Sequence, residues 1–134
     1  MAEEAIPFFI EFERIVLVKR ERLKARAFAV AAAKLAAERH CSDIVVLDLK
    51  GKSQATDFFV IATGTSDRQM RTVADETSDL AKKRGFSRFG LAGYENARWI
   101  LLDFIDVVVH IFDGEFREYY DLELLWGDAK RIKI

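Results

Sequence analysis

Phe58-Phe59-Val60-Ile61-Ala62-Thr63-Gly64-Thr65-Ser66-Asp67-Arg68-Gln69 is the stretch on which the fold turns. Its first six residues are a continuous apolar, β-rich run, the pattern of a strand buried on both faces. Ser66 and Gln69 then stand at capping-box spacing. The Ser66 hydroxyl can accept from the Gln69 N–H, and the Gln69 side chain can reach back. Asp67 suits the positive end of a helix dipole. Met70, Val73, Ala74, Thr77, Leu80 and Ala81 recur as one helical stripe. Lys82, Lys83 and Arg84 suit the last turn, and Gly85 is placed to end the helix in a left-handed conformation. A doubly buried strand running into a capped helix predicts a layered α/β domain.

Upstream, residues 20–40 are rich in strong helix formers. Leu23, Ala27, Ala31 and Leu35 fall on one side with Phe28 and Ala32 beside them, which predicts a helix packed on the sheet. A strand is expected at Ile44–Leu49. Downstream, a short strand is expected near Phe86–Ala92. Arg98–Asp103 and Val107–Phe112 read as an antiparallel hairpin, and a last helix as running from Glu115 to Trp126, stopped by Gly127. The expected fold is therefore α/β, a mixed sheet of about five strands with packed helices.

Residues 1–19 form an N-terminal extension of unclear role. Its apolar cluster is broken by Glu11, Glu13 and Arg14. It reads as an extra strand, as a helix, or as a stretch that does not fold with the rest. Residues 20–129 form the single domain, and 130–134 a short basic tail.

The totals exclude several classes. A chain of 134 residues, 51% of them hydrophobic, suits one domain with its own core. A net charge of −1 argues against affinity built on phosphate neutralisation, so contact with RNA is expected to be minor. No apolar run approaches membrane-span length. One cysteine, Cys41, allows no intrachain disulfide and suits a reducing, cytoplasmic setting.

Chemistry-bearing constellations are sparse. Cys41, His40 and His110 are too few for a structural zinc site. A Cys41–His110 nucleophilic pair would have to form across the fold. The Gly64 turn lacks a phosphate-loop pattern. Asp103 and Asp106 are close in sequence, but one ends a strand and the other begins the next. The alternation of Trp99, Leu101 and Asp103 is more informative. If that side is open, it presents a tryptophan beside acids, with Tyr94 and Glu95 just upstream, a composition suited to a basic protein partner. The pattern equally allows Trp99 in the core.

These residues carry a family resemblance. Asp43–Asp48, Gly51-Lys52-Ser53 and Thr56–Gln69 resemble the first half of the ribosomal silencing factor (Iojap-like) family. Trp99–Asp103, Asp106–Phe112, Arg117–Tyr120, Leu122-Glu123 and Leu125-Trp126 resemble the second half. Together the blocks span residues from about 25 to 129. The resemblance implies a nucleotidyltransferase-like fold without catalytic residues, cofactor or metal. It implies binding to a ribosomal protein on the intersubunit face of the large ribosomal subunit, which blocks subunit joining and represses translation when nutrients are scarce. The positions matching its partner-facing surface are Tyr94, Trp99, Asp103, Asp106 and His110. A homodimer off the ribosome, formed through an exposed apolar strand face, is a further expectation. The alternative is a divergent nucleotidyltransferase using Asp103 and Asp106 with magnesium. One departure stands out: the family usually carries glycine where this chain has Ile105, so a different turn geometry is expected there.

Overall fold

A computed structural model describes the backbone of residues 2–134 and the side chains from residue 10 onward. Helix α1 (Ala2–Glu38) leads into strands β1 (Ser42–Asp48) and β2 (Phe58–Thr63). Helix α2 (Asp67–Lys83) follows, then β3 (Gly90–Ala92), β4 (Trp99–Asp103) and β5 (Val107–Phe112). Two short helices, α3 (Gly114–Tyr120) and α4 (Leu122–Leu125), precede β6 (Lys130–Ile132). The strands form one mixed sheet in the order β3-β4-β5-β2-β1-β6. Only β2 and β5 pair in parallel; every other neighbour is antiparallel.

β2 lies inside the sheet and is buried on both sides, as its unbroken apolar run requires. On one face, Phe58, Val60, Ile100, Leu102, Val109 and Ile111 meet α1 and α2. The helix side of this core is nearly all alanine: Ala25, Ala29, Ala32, Ala33 and Ala36 are buried around Phe28. Small residues let α1 lie close to the strands, while Phe28 stacks on Phe86 at 4.8 Å and meets Phe104 edge-on at 5.1 Å. This buried face is rotated from the expected stripe. Leu23, expected to be buried, is 65% exposed, and Ala27 is exposed too. The sheet already brings Phe58 and Phe104 to the contact, so alanines fit where a leucine would overpack.

α2 is capped as its sequence predicts, with Ser66 Oγ accepting from the Gln69 N–H at 3.1 Å. The return half of the box differs. Gln69 Oε1 accepts from the Thr65 N–H, and Gln69 Nε2 donates to the Arg39 carbonyl at 2.8 Å, tying the start of α2 to the end of α1. Gly85 holds φ +81° just past the helix, as expected.

Three further expectations need correction. The last helix does not run unbroken from Glu115 to Trp126. It breaks at Asp121, which takes φ +44°. Aspartate tolerates that conformation better than most residues. The break turns Leu122 and Trp126 onto Leu47 and Leu49 on the second face of the sheet. Residues 130–134 are not simply a basic tail, because 130–132 pair antiparallel with β1 and Ile132 is buried. The sheet thus has six strands among the described residues. Residues 1–19, left open by the sequence, continue α1 from Ala2 onward.

The third correction concerns the β4–β5 turn. Its geometry does not yield to Ile105: the residue adopts φ +72° at the first central position of a two-residue turn. Phe104 N–H still bonds the Val107 carbonyl at 2.9 Å, and Asp103 Oδ1 accepts from the Ile105 N–H at 2.8 Å. A β-branched residue is strained there by about 1–2 kcal/mol. Ile105→Gly should therefore raise unfolding free energy by about 1 kcal/mol, after glycine's extra unfolded-chain entropy is subtracted. Urea denaturation checks this, and an unchanged or lower midpoint would contradict it.

Candidate partner-binding face

β4 and β5 carry their alternate residues to the second face of the sheet. Trp99, Leu101 and Asp103 stand there opposite Phe112, His110 and Val108. The Trp99 ring stacks on Phe112 at 4.8 Å and lies 4.8 Å from Tyr120. Its Nε1–H donates to His110 Nδ1 at 3.1 Å. His110 meets Phe59 edge-on at 4.5 Å, and Phe59 meets Trp126 at 6.0 Å. A connected aromatic surface thus runs from Tyr119 and Tyr120 through Trp99 and His110 to Trp126.

α3 and α4 cover only part of this face. Asp113 caps α3 by accepting from the Phe116 N–H at 2.7 Å. Arg117 reaches back to Thr63 Oγ1 at 2.8 Å and to Glu123 at 2.9 Å, and Arg131 of β6 meets Glu123 from the other side. This pinning leaves Tyr119, Leu124 and Leu125 projecting, at 80%, 78% and 73% exposed. Leu101, Val108 and Phe59 are half-buried. Glu118 and Asp121 are exposed near Tyr119 and Tyr120 in sequence, and α3 and α4 hold four acids against one base when Asp121 is counted.

The five positions singled out from sequence do not share one surface. Trp99, Asp103 and His110 lie on the second face. Tyr94 packs with the helix-side core and donates from its hydroxyl to Asp75 Oδ2 at 3.1 Å. That carboxylate holds the phenol above its usual range. Asp106 sits in the hairpin turn, its carboxyl pushed up by partial burial and by Asp57 and Glu21. The Trp99 alternative is resolved as an intermediate: one ring face is packed, and the side chain is half-buried. Sequence reasoning did not single out Tyr119, Leu124 and Leu125. The available signal was two adjacent apolar pairs in a helical region, since neighbouring helical residues cannot both face inward.

Cys41 belongs to the helix-side core, where burial pushes its thiol up, and the sheet separates it from His110. A cleft of about 560 Å³ opens beside Asp43, Thr63, Arg117, Glu118 and Arg131. Its Arg117 guanidinium is already held by Thr63 and Glu123. Among the described residues, no group of three or more His, Cys, Asp or Glu side chains is placed to hold a metal ion. No described helix is long and apolar enough to cross a membrane.

Comparisons with known proteins place this geometry. Residues 22–134 match the family model for the ribosomal silencing factor during starvation. The chain is 42% identical over 97 residues to the ribosomal silencing factor RsfS of Halalkalibacterium halodurans, covering 72% of this chain and 83% of that protein. It is 44% identical to the Bacillus subtilis protein of the same name over 69% of this chain and 78% of that one. The chloroplastic Iojap protein of Zea mays is 38% identical over 81% of this chain, which spans 47% of its length. A crystal structure from Bacillus halodurans superposes with a TM-score of 0.67 at 38% identity, over 81% of this chain and 95% of the other. The mixed α/β fold is thus that of solved relatives. The chain belongs to the ribosomal silencing factor family.

His110 gives this face a pH signature. Because an indole N–H can only donate, Nδ1 is unprotonated and Nε2 carries the hydrogen. Nε2 is buried with no hydrogen-bond partner, and burial lowers the His110 pKa from 6.5 to about 3. Between those values the unfolded chain binds the extra proton, so stability rises with pH and falls on acidification. His110→Gln keeps an acceptor for Trp99 without a titrating group. Its unfolding free energy should fall less steeply from pH 7 to about pH 5, the difference approaching about 1.4 kcal/mol per pH unit. Parallel pH profiles for the two proteins would remove His110 as the cause.

Proposed function

We propose that this protein binds the large ribosomal subunit through its open aromatic face and blocks joining of the small subunit, repressing translation when nutrients are limiting. The observation that carries this reading is the uncovered β4–β5 surface. Trp99, Leu101 and Tyr120 there form an apolar, aromatic patch, and Leu124 and Leu125 project from α4, whose Leu122 packs on the same face of the sheet. Apolar anchors in the centre with charge at the rim suit a protein partner, and acids favour a basic one. The partner is a ribosomal protein on the intersubunit face of the large subunit, with little direct contact to RNA. Of the sequence-predicted positions, Trp99 and Asp103 reach this surface, and the buried His110 holds the Trp99 indole in place. Tyr94 and Asp106 act at most by shaping its edges. The protein acts by occupancy in the cytoplasm, not by catalysis. Family membership supports the ribosome as the target.

Cosedimentation with purified large subunits tests this. The wild-type chain should pellet with them and reduce formation of joined ribosomes. Leu124→Glu with Leu125→Glu changes exposed side chains only, so it should leave the melting temperature near wild type. It should weaken binding by about tenfold or more. Lys82→Glu, on the last turn of α2, should bind like wild type. Absence of wild-type cosedimentation at low salt would overturn the reading.

A further inference from the structure

Past residue 21, α1 belongs to the part of the chain that matches the family, yet one side of it carries apolar residues open to solvent. Leu23 is 65% exposed, Ala27 is exposed, and Val30 and Ala31 are half-buried. They line a groove of about 340 Å³ together with Arg26, Lys34 and, from the end of α2, Arg84. Leu23, Ala27, Val30 and Lys34 follow one another at four, three and four residues, the spacing of a single helix face. That face is turned away from the sheet, opposite the buried Phe28 and Ala32.

The charge around this groove has one sign. Arg26, Lys34 and Arg84 are exposed, and Lys19 and Arg20 stand on the same side of α1, one turn before Leu23. Among the described residues, none of these five is paired with an acid. Residues 19–34 contain one acid, Glu21, and it falls on the sheet side of the helix. Arg22 turns inward as well and donates to Asp48 at 2.6 Å. The bases that stay outside therefore frame an apolar floor. The frame attracts an anionic partner, and the floor selects which kind. Single-stranded nucleic acid stacks its bases on aromatic side chains, and this floor has none. A bilayer surface takes up a broad face of large apolar side chains. This floor holds one leucine, one valine and two alanines. Small residues at Ala27 and Ala31 instead leave room for the side chains of a second helix.

We propose that this groove docks an acidic amphipathic helix of a different protein. The docked helix runs along α1 from Lys19 to Lys34, a distance of about 22 Å or four turns. Its leucine-sized side chains enter at Ala27 and Ala31. Its glutamates or aspartates, on both flanks, meet Lys19, Arg20, Arg26, Lys34 and Arg84. α1 covers the face of the sheet opposite the aromatic one, so the two surfaces can be engaged at once. The protein thereby joins two partners, and the groove acts whatever partner the aromatic face holds.

Fluorescence anisotropy on the full chain tests this with a labelled peptide of about 16 residues, carrying leucines along one helical face and glutamates on both flanks. It should bind saturably, one peptide per chain, and more weakly as salt is added. Leu23→Asp, and Arg26→Glu with Lys34→Glu, change exposed side chains and should keep the wild-type melting temperature. Each should weaken binding by about tenfold or more. A peptide with lysine in place of glutamate should prefer the charge-reversed chain to the wild type. Leu124→Glu with Leu125→Glu should bind the acidic peptide like wild type, which separates this groove from the aromatic face. In cells, a photoreactive benzoylphenylalanine placed at Ala27 should cross-link to an acidic helical segment of another protein. No saturable peptide binding, binding indifferent to Leu23→Asp or to the charge reversal, or cross-linking to RNA, lipid or a second copy instead would each overturn the proposal.

Discussion

The parallel pairing of β2 with β5 is the constraint on which the molecule is built. Six residue pairs, from Phe58–Val107 to Thr63–Phe112, set the two strands in register. A parallel pair needs a crossover, which here consists of α2 with the β3–β4 hairpin arm. That crossover places α2 beside α1 on one face, so the aromatic side chains of β4 and β5 fall to the other. A one-residue slip would exchange Trp99 and His110 for Ile100 and Ile111 and invert the character of both faces. Gly93 shows how tightly the crossover closes. With φ +76°, a Cβ at that position would lie 1.9 Å from the Trp99 carbonyl oxygen.

The two faces are held by different physics. The helix side is dry and closely packed, with alanines of α1 against the large side chains of the sheet. The other side depends on a polar clamp. Arg117, only 12% exposed at its side chain, joins Thr63, Glu123 and, through Glu123, Arg131. β2 and the α3–α4 unit meet at this guanidinium, and β6 joins them through Arg131 on the Glu123 carboxylate. Its planar fork suits that task, and a lysine would not reproduce it. The clamp fixes α3 and α4 over Ile61 and Leu47 while leaving Leu124 and Leu125 outside.

Much of this was legible in the sequence where a local rule and the tertiary context agree. β2, β5 and the cap of α2 follow from an apolar run, a β-rich run and a serine followed three residues later by glutamine. Legibility failed where tertiary context decides. The buried face of α1 is set by the size of the sheet residues opposite it, which periodicity cannot report. The break at Asp121 comes from a left-handed residue whose neighbours all read as helix formers. At Ile105 the turn is imposed by the hairpin on an unfavourable residue. At the candidate site, alternation along β4 identified the face through Trp99 and Asp103. It could not show that His110 is 3% exposed and bonded to Trp99, nor that Tyr94 lies across the sheet.

The outermost strands, β3 and β6, are each three residues long. A sheet exposes unpaired N–H and C=O groups along its borders, and long flat borders recruit further strands. These borders offer only a short stretch of backbone on either side, and on β6 it alternates with the charged side chains of Lys130 and Arg131. Extension by strand addition, whether by a partner or by misassembled copies, is thereby discouraged at both ends. Recognition is left to side chains on faces and helices. A protein with an exposed apolar surface can then remain dispersed, because the part of it most prone to templated aggregation has been kept small.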